Sequence, residues 1–352
     1  MSTVQEKLDS LTKAGSLYST ESGGAVRCQA CAHRCRIHPG KRGVCLMRFN
    51  RDGQLYVPWG YVAAANVDPI EKKPFAHFLP GSDVLTFGML GCNFHCDFCQ
   101  NWVSSQTLRD PACDNSLAYI QQVSARDLAA YAVRSGAKAV ASSYNEPLIT
   151  SEWAIEIFKA AKKEGLRCAY VSNGFATPEA LHALQPYLDG YKIDLKCMTD
   201  AAYRELGGSL QIVLDTIRLA RELGMWVEVV TLVIPGFNDS NEDLWEMARY
   251  LASVSNDIPW HVTAFHPMYK RLEATATDSE TLQRAAEIGQ EAGLHYVYAG
   301  NLPGRVGSLE DTHCPKCHAV LIRRTGYLVR SNRVTPQGTC PDCRQPIAGI
   351  WS

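Results

Sequence analysis

The sequence has almost no net charge: 35 Lys and Arg stand against 36 Asp and Glu in 352 residues, a formal charge of -1. No whole-protein field gathers nucleic acid or an anionic membrane surface, so a macromolecular partner must be recognised by a local patch. Long apolar runs are missing too. The longest largely apolar stretch, residues 226–234, is far short of the about 20 residues that cross a bilayer. The N-terminal MSTVQEKLDSLTKAGS carries charges where a secretory signal needs an apolar segment. The expectation is a cytoplasmic chain with no membrane partner. With 46% hydrophobic residues it can bury one large core, or one core with small satellites.

Cysteine is what the chain has in quantity. Fourteen are present, and in a reducing compartment clustered thiols point to metal or redox chemistry rather than disulfides. Eleven fall into three groups: Cys28, Cys31, Cys35 and Cys45; Cys92, Cys96 and Cys99; and Cys314, Cys317, Cys340 and Cys343. Cys168 and Cys197 lie in or beside apolar strand-like runs and are expected to be packing residues. Cys113, in a polar segment, has no assigned role.

Between the second and third groups, β-branched runs at 83–89, 137–142, 167–172, 191–195, 226–233 and 260–265 alternate with helical periodicity at 125–135, 151–164, 178–184, 210–223, 240–253 and 279–292. Ser, Thr or Asp precedes several helices and Gly follows many of them. With a short seventh strand at 294–298, the pattern predicts an α/β fold, a partial (β/α)6 TIM-type barrel, with a doubly wound sheet as the alternative. Three parts are expected: a Cys-rich, metal-binding N-terminal extension (1–80), the barrel (81–305) and a zinc-ribbon-like module (306–352). In either sheet, chemistry gathers at the C-terminal strand ends. There stand Cys92, Asn145-Glu146-Pro147, Ser172-Asn173-Gly174, Asp194, Lys196 and His266.

The central group is spaced C-x3-C-x2-C on one loop. Four thiolates would saturate a cubane cluster, whereas three leave one iron open to a chelating substrate. S-adenosylmethionine (SAM) offers an amino and a carboxylate group for that position. A zinc site completed by His95 is the competing reading.

Phe98 precedes the last of these cysteines, and C-x3-C-x2-C with an aromatic there resembles the signature of the radical SAM superfamily. Ser-Tyr-Asn-Glu-Pro at 143–147 resembles that superfamily's GGEP segment, with Tyr144 and Asn145 in place of its glycines. Asp194-Leu-Lys196 and Phe265-His266-Pro-Met-Tyr-Lys270 are similar to D-x-K and F-H-x-x-x-K segments of the pyruvate formate-lyase activating enzyme branch. With Val171-Ser-Asn-Gly-Phe175, residues 232–239 and Asp68-Pro-Ile-Glu-Lys-Lys73, the chain most resembles AmmeMemoRadiSam-system radical SAM proteins. The resemblance implies a 4Fe-4S cluster on Cys92, Cys96 and Cys99. It also implies SAM contacts from Phe98, Gln100, Asn145, Glu146, Ser172, Asn173, Asp194, Lys196 and His266, with no catalytic acid or base assigned.

Cys314-x2-Cys317 and Cys340-x2-Cys343, separated by 22 residues, have the form of a zinc ribbon, whose metal would hold a module of about forty residues folded. Its arginines, without a neighbouring aromatic array, argue against nucleic acid. Cys28-x2-Cys31-x3-Cys35-x9-Cys45 suits zinc, the reading slightly favoured, or an auxiliary cluster. The function expected is reductive cleavage of SAM to a 5'-deoxyadenosyl radical that abstracts hydrogen from a protein, as in glycyl-radical activation, or from a small molecule. An electron donor such as flavodoxin or ferredoxin is expected as partner. The alternative is a non-catalytic zinc-binding scaffold.

Overall fold

A computed structural model describes residues 3–352. Its centre is one open eight-stranded sheet whose strand order follows the sequence. The strands are β1 (Ala64–Pro69), β2 (Asp83–Gly88), β3 (Ala139–Ser142), β4 (Arg167–Ser172), β5 (Gly190–Asp194), β6 (Trp226–Val233), β7 (Trp260–Ala264) and β8 (Val297–Gly300). Strands β2 to β8 pair in parallel, and β1 lies antiparallel on the β2 edge. Helices α1 (Ala125–Arg134), α2 (Ser151–Lys163), α3 (Pro178–Leu184), α4 (Asp200–Leu206), α5 (Leu210–Glu222), α6 (Asn241–Val254) and α7 (Ser279–Glu291) supply the crossovers. Parallel strands covered in this way are buried on both faces, which is why their sequences read as continuous apolar runs rather than alternating ones. All four residues of β3 and all five of β7 are buried.

Local chemistry starts the helices where the sequence places them. Ser124, Thr177, Thr199, Ser240 and Asp278 each accept a hydrogen bond from a backbone N–H of the first turn. The expected α/β class is observed, with two departures in detail. The seventh strand begins at Val297 rather than 294, because the Leu294 N–H is still tied to the Gly289 carbonyl at the end of α7. The antiparallel edge β1 and helix α4 are additions that periodicity did not reveal.

Two small units flank this core. At the N-terminal end, Thr12–Ala14, Gln54–Pro58 and Phe49–Arg51 form one three-stranded sheet, and Tyr18–Thr20, Val26–Cys28 and Arg36–Ile37 form another. They are bolted to the core by Arg48, 1% exposed, which donates to Glu152 of α2 at 2.7 and 2.8 Å and to the Ile149 carbonyl at 3.1 Å. At the C-terminal end, β9 (Thr312–His313), β10 (Val320–Thr325) and β11 (Leu328–Asn332) make an antiparallel sheet. Arg324 ties it to the strap before β2 by donating to the Ala76 carbonyl at 2.8 Å.

His77 is the centre of that second junction. Its Nδ1–H donates to the Ala348 carbonyl, and Nε2 accepts from the Tyr298 hydroxyl, both at 2.6 Å. Burial disfavours the imidazolium and lowers the His77 pKa from 6.5 to about 4. The ring is therefore neutral when folded, whereas the unfolded chain takes up its proton below 6.5. Stability present above pH 6.5 is lost as pH falls towards 4, by about 3 kcal/mol for a shift of this size. Unfolding of wild type and His77→Asn by denaturant between pH 7 and 4 should show the steeper loss in the wild type.

Candidate functional site

Chain direction in the parallel sheet puts the ends of β2 to β8 along one rim, and a cavity of about 400 Å³ opens there. Cys92, Cys96 and Cys99 all line it, with Phe98, Gln100, Asn145, Glu146, Ser172, Asn173, Asp194 and Lys196. Every cofactor-contact residue expected from the sequence is thus brought to one cavity, with the exception of His266. That residue is exposed and lines a neighbouring cavity of about 620 Å³, which shares Pro74, Gln100, Thr263, Asn301 and Tyr327 with the first.

The cysteine loop leaves β2 through Gly91, whose φ of 91° is a left-handed conformation. A Cβ there would lie 2.3 Å from Met47 Cγ, so only glycine fits. The loop is then held by its neighbours. Met89 N–H donates to Asn145 Oδ1 at 2.9 Å, Glu146 N–H to the Gly91 carbonyl at 3.2 Å, and His95 N–H to the Leu206 carbonyl at 3.0 Å. His95 is therefore committed by its backbone to the end of α4, and it does not line the cavity with the three thiols.

Glu146 is the hub of the rim. Its carboxylate accepts from Leu148 N–H at 3.0 Å, Ser172 Oγ at 2.7 Å and Asn173 N–H at 2.8 Å. Asn173 Nδ2 in turn donates to Asn93 Oδ1 at 2.7 Å, beside Cys92. Burial raises the Glu146 pKa to about 7 in spite of these bonds. At Asp194, burial pushes the carboxyl up, but the ammonium groups of Lys192 and Lys196 outweigh it and hold the value at about 2. Lys196 Nζ donates to Asp194 Oδ2 at 3.0 Å, and Lys192 binds the other oxygen. The rim therefore carries a fixed cluster of one carboxylate and two cations.

The three thiols are pushed up by burial, Cys96 to about 12. Thiols in that state are poor free nucleophiles. Their three sulfurs do not all lie within 4.8 Å of one another. Among the described residues, only Cys314, Cys317, Cys340 and Cys343 bring three or more such ligand atoms within 4.8 Å of one another. In that C-terminal quartet Cys314 Sγ is 3.5 Å from Cys343 Sγ, and Cys317 Sγ is 3.7 Å from Cys340 Sγ. The wider central triad suits ligands that each reach a different metal atom of a cluster.

Several rim residues were not singled out as ligand contacts. Asp68 binds Lys72 at 2.7 Å and Lys73 at 3.0 Å, and Tyr144, at φ 71°, donates to it at 3.3 Å. Lys72, Lys73 and Tyr144 line the cavity, as do Lys192 and Tyr327. The traces in the sequence were the Asp68–Lys73 segment, recognised without a role, and Tyr144 standing at a glycine position of the GGEP-like segment. Cys168 and Cys197 are buried as expected, and Cys113 is buried with its Sγ 3.3 Å from the Trp102 carbonyl.

Residues 87–251 match the Radical SAM superfamily model. An uncharacterised protein of Methanocaldococcus jannaschii is 36% identical over 87% of this chain and 90% of its own length. The isethionate sulfite-lyase activating enzyme of Nitratidesulfovibrio vulgaris is 24% identical over 58% of this chain and 70% of its own. The pyruvate formate-lyase 1-activating enzyme of Escherichia coli is 23% identical over 62% and 93%. The chain belongs to the radical SAM superfamily and is a radical SAM enzyme, which sets aside the scaffold reading. Membership implies a 4Fe-4S cluster and SAM as cofactors.

Replacing Glu146 by Gln should test the hub. An amide oxygen can serve only some of the three donors, so the variant should lose about 1–3 kcal/mol, seen as a lower denaturant midpoint. Because the Glu146 pKa is raised when folded, wild-type stability also falls as pH climbs from 4.5 to about 7. That component should be missing from the variant.

Proposed function

We propose that Cys92, Cys96 and Cys99 hold the 4Fe-4S cluster, with SAM in the cavity of about 400 Å³ beside it. The observation that carries the reading is the convergence of three thiols, Cys96 buried and Cys92 and Cys99 half-buried, and a fixed carboxylate–cation cluster on one cavity. Three thiolates leave one iron for the amino and carboxylate groups of SAM. Asn145, Glu146, Ser172 and Asn173 line the side nearest Cys92, while Asp194 and Lys196 offer charges of both signs to the zwitterionic end of the cofactor. Phe98 and Gln100 flank the last cysteine and suit the adenosine. When bound, the pair supplies one-electron cleavage of SAM to a 5'-deoxyadenosyl radical that abstracts hydrogen from the substrate.

The neighbouring cavity of about 620 Å³ is the proposed substrate side, with His266 on its wall and Tyr327 of the β10–β11 turn shared between both spaces. The curated relatives named as activating enzymes favour a protein substrate, a glycyl-radical enzyme being the foremost candidate. The division proposed is a metal-binding extension (1–80), a partial (β/α)6 barrel (81–305) and a zinc ribbon (306–352). Tetrahedral zinc with Zn–S bonds of about 2.3 Å fits the tight spacing of Cys314, Cys317, Cys340 and Cys343. Flavodoxin or ferredoxin is the electron donor proposed. No helix among the described residues is long and apolar enough to cross a membrane, and a cytoplasmic location accords with the oxygen-sensitive cofactor.

The test is spectroscopic. In anaerobic, reconstituted and reduced protein, SAM should change the electron-spin line shape of the cluster, and Asp194→Asn should weaken SAM binding by about 10- to 30-fold, as expected when one partner of a partly buried charge cluster is removed. A spectrum indifferent to saturating SAM would count against the assignment. With the correct glycyl-radical partner, a glycyl signal should appear; its absence from fully loaded enzyme would turn the search to other substrates.

A further inference from the structure

The N-terminal cysteines can be separated from the C-terminal quartet by spacing alone. A single tetrahedral zinc draws four thiolates to about 3.8 Å of one another, given Zn–S bonds of about 2.3 Å. The C-terminal quartet meets that demand, whereas no three of Cys28, Cys31, Cys35 and Cys45 come within 4.8 Å. They nevertheless lie close together, since Cys31 is within electrostatic reach of Cys28, Cys45 and Cys35. In this respect they match the central triad. A cubane produces that wider spacing, because each thiolate binds a different iron.

A second observation points to an anionic guest. Arg48 is 1% exposed, and its two terminal nitrogens are engaged by Glu152 and the Ile149 carbonyl. Its Nε–H is buried without a partner among the described residues. The guanidinium lies within electrostatic reach of Cys28 and Cys45. A buried cation with an unused donor beside four thiols suits a cluster with negative charge and acceptor sulfurs.

The site also has an outer and an inner side. Cys35 is partly exposed next to exposed Val44, whose N–H is 3.4 Å from the Cys35 sulfur, and the adjoining Arg36 is exposed and paired with Glu21. Inward, Cys45 is two residues from Met47, and Met47 lies against Gly91, the neighbour of Cys92. Arg109 clamps the two loops together, donating to the Val44 and Phe94 carbonyls at 2.7 Å each, and His33 Nε2 donates to the Asn93 carbonyl at 3.1 Å.

We propose that Cys28, Cys31, Cys35 and Cys45 hold a second, fully ligated 4Fe-4S cluster that relays single electrons from a low-potential donor protein to the cluster of the Cys92 loop. The relay takes one electron at the exposed side and is reoxidised by passing it inward; no bond is made or broken. The slight sequence preference for zinc at this position is replaced by this assignment. The relay role rests on the central-cluster reading, whereas the site itself does not.

The decisive protein is the full chain carrying Cys92→Ala, Cys96→Ala and Cys99→Ala, reconstituted anaerobically with iron and sulfide. It should retain about four iron and four sulfide per chain, one zinc, and a reducible 4Fe-4S spin signal. A variant that takes up no iron, whether the tetrad holds a second zinc or nothing, overturns the site. Iron lost from wild type to variant reports the central loop separately, so failure of one assignment is distinguishable from failure of the other. In fully reduced wild type, the signal should be split or broadened by two neighbouring spins and become simple in the variant. Two independent, unsplit signals would overturn the relay.

Discussion

The rim of the sheet depends on one buried carboxyl group. Glu146 leaves the end of β3, its own N–H is tied to the turn that launches the cysteine loop, and its side chain gathers donors from the end of β4. Through Asn173 and Asn93 the same chain of bonds reaches the first cysteine. Three successive strand ends are thereby fixed around Cys92. A carboxyl buried this deeply is costly unless its partners are preorganised. The parallel sheet provides that preorganisation, because register sets where each strand stops.

Around this rim the molecule repeats one solution at its two flanks. Small units with little core of their own are joined to the sheet by a buried arginine: Arg48 with Glu152 on the N-terminal side, Arg324 with the Ala76 carbonyl on the C-terminal side. A buried ion pair such as Arg48–Glu152 adds little net stability but fixes geometry, and the charged hydrogen bond from Arg324 to the Ala76 carbonyl does the same on the other flank. Here they hold the N-terminal cysteines against the loop of Cys92, and they set Tyr327 on the wall shared by the two cavities. Both flanks therefore bear on the same site.

Much of this was legible in the sequence because the signals are local and redundant. Apolar runs, cap residues and trailing glycines marked six of the helices and the parallel strands, most within one or two residues. The C-x3-C-x2-C loop carried its own chemistry, and most of the expected contact residues meet at one cavity. What escaped depends on packing between distant segments. β1 is a strand because β2 offers an edge, with Asp68 opposite Val84. His266 is sequence-adjacent to the rim of the sheet, yet it faces a second space. Tyr144 and Lys73 become neighbours only when β1 and the end of β3 are brought together. The metal proposed for the N-terminal cysteines was equally beyond motif spacing, since zinc and a cluster accept the same four residues and differ in how far apart the sulfurs stand.

The central claim is that this loop and cavity cleave SAM by one-electron reduction. Its most direct test is anaerobic incubation of the reconstituted chain with SAM and a strong reductant, measuring 5'-deoxyadenosine beside a Cys96→Ala control. The account predicts product from the wild type alone. Protein with a full complement of iron and sulfide that forms none, or a Cys96→Ala variant that forms as much, would contradict it.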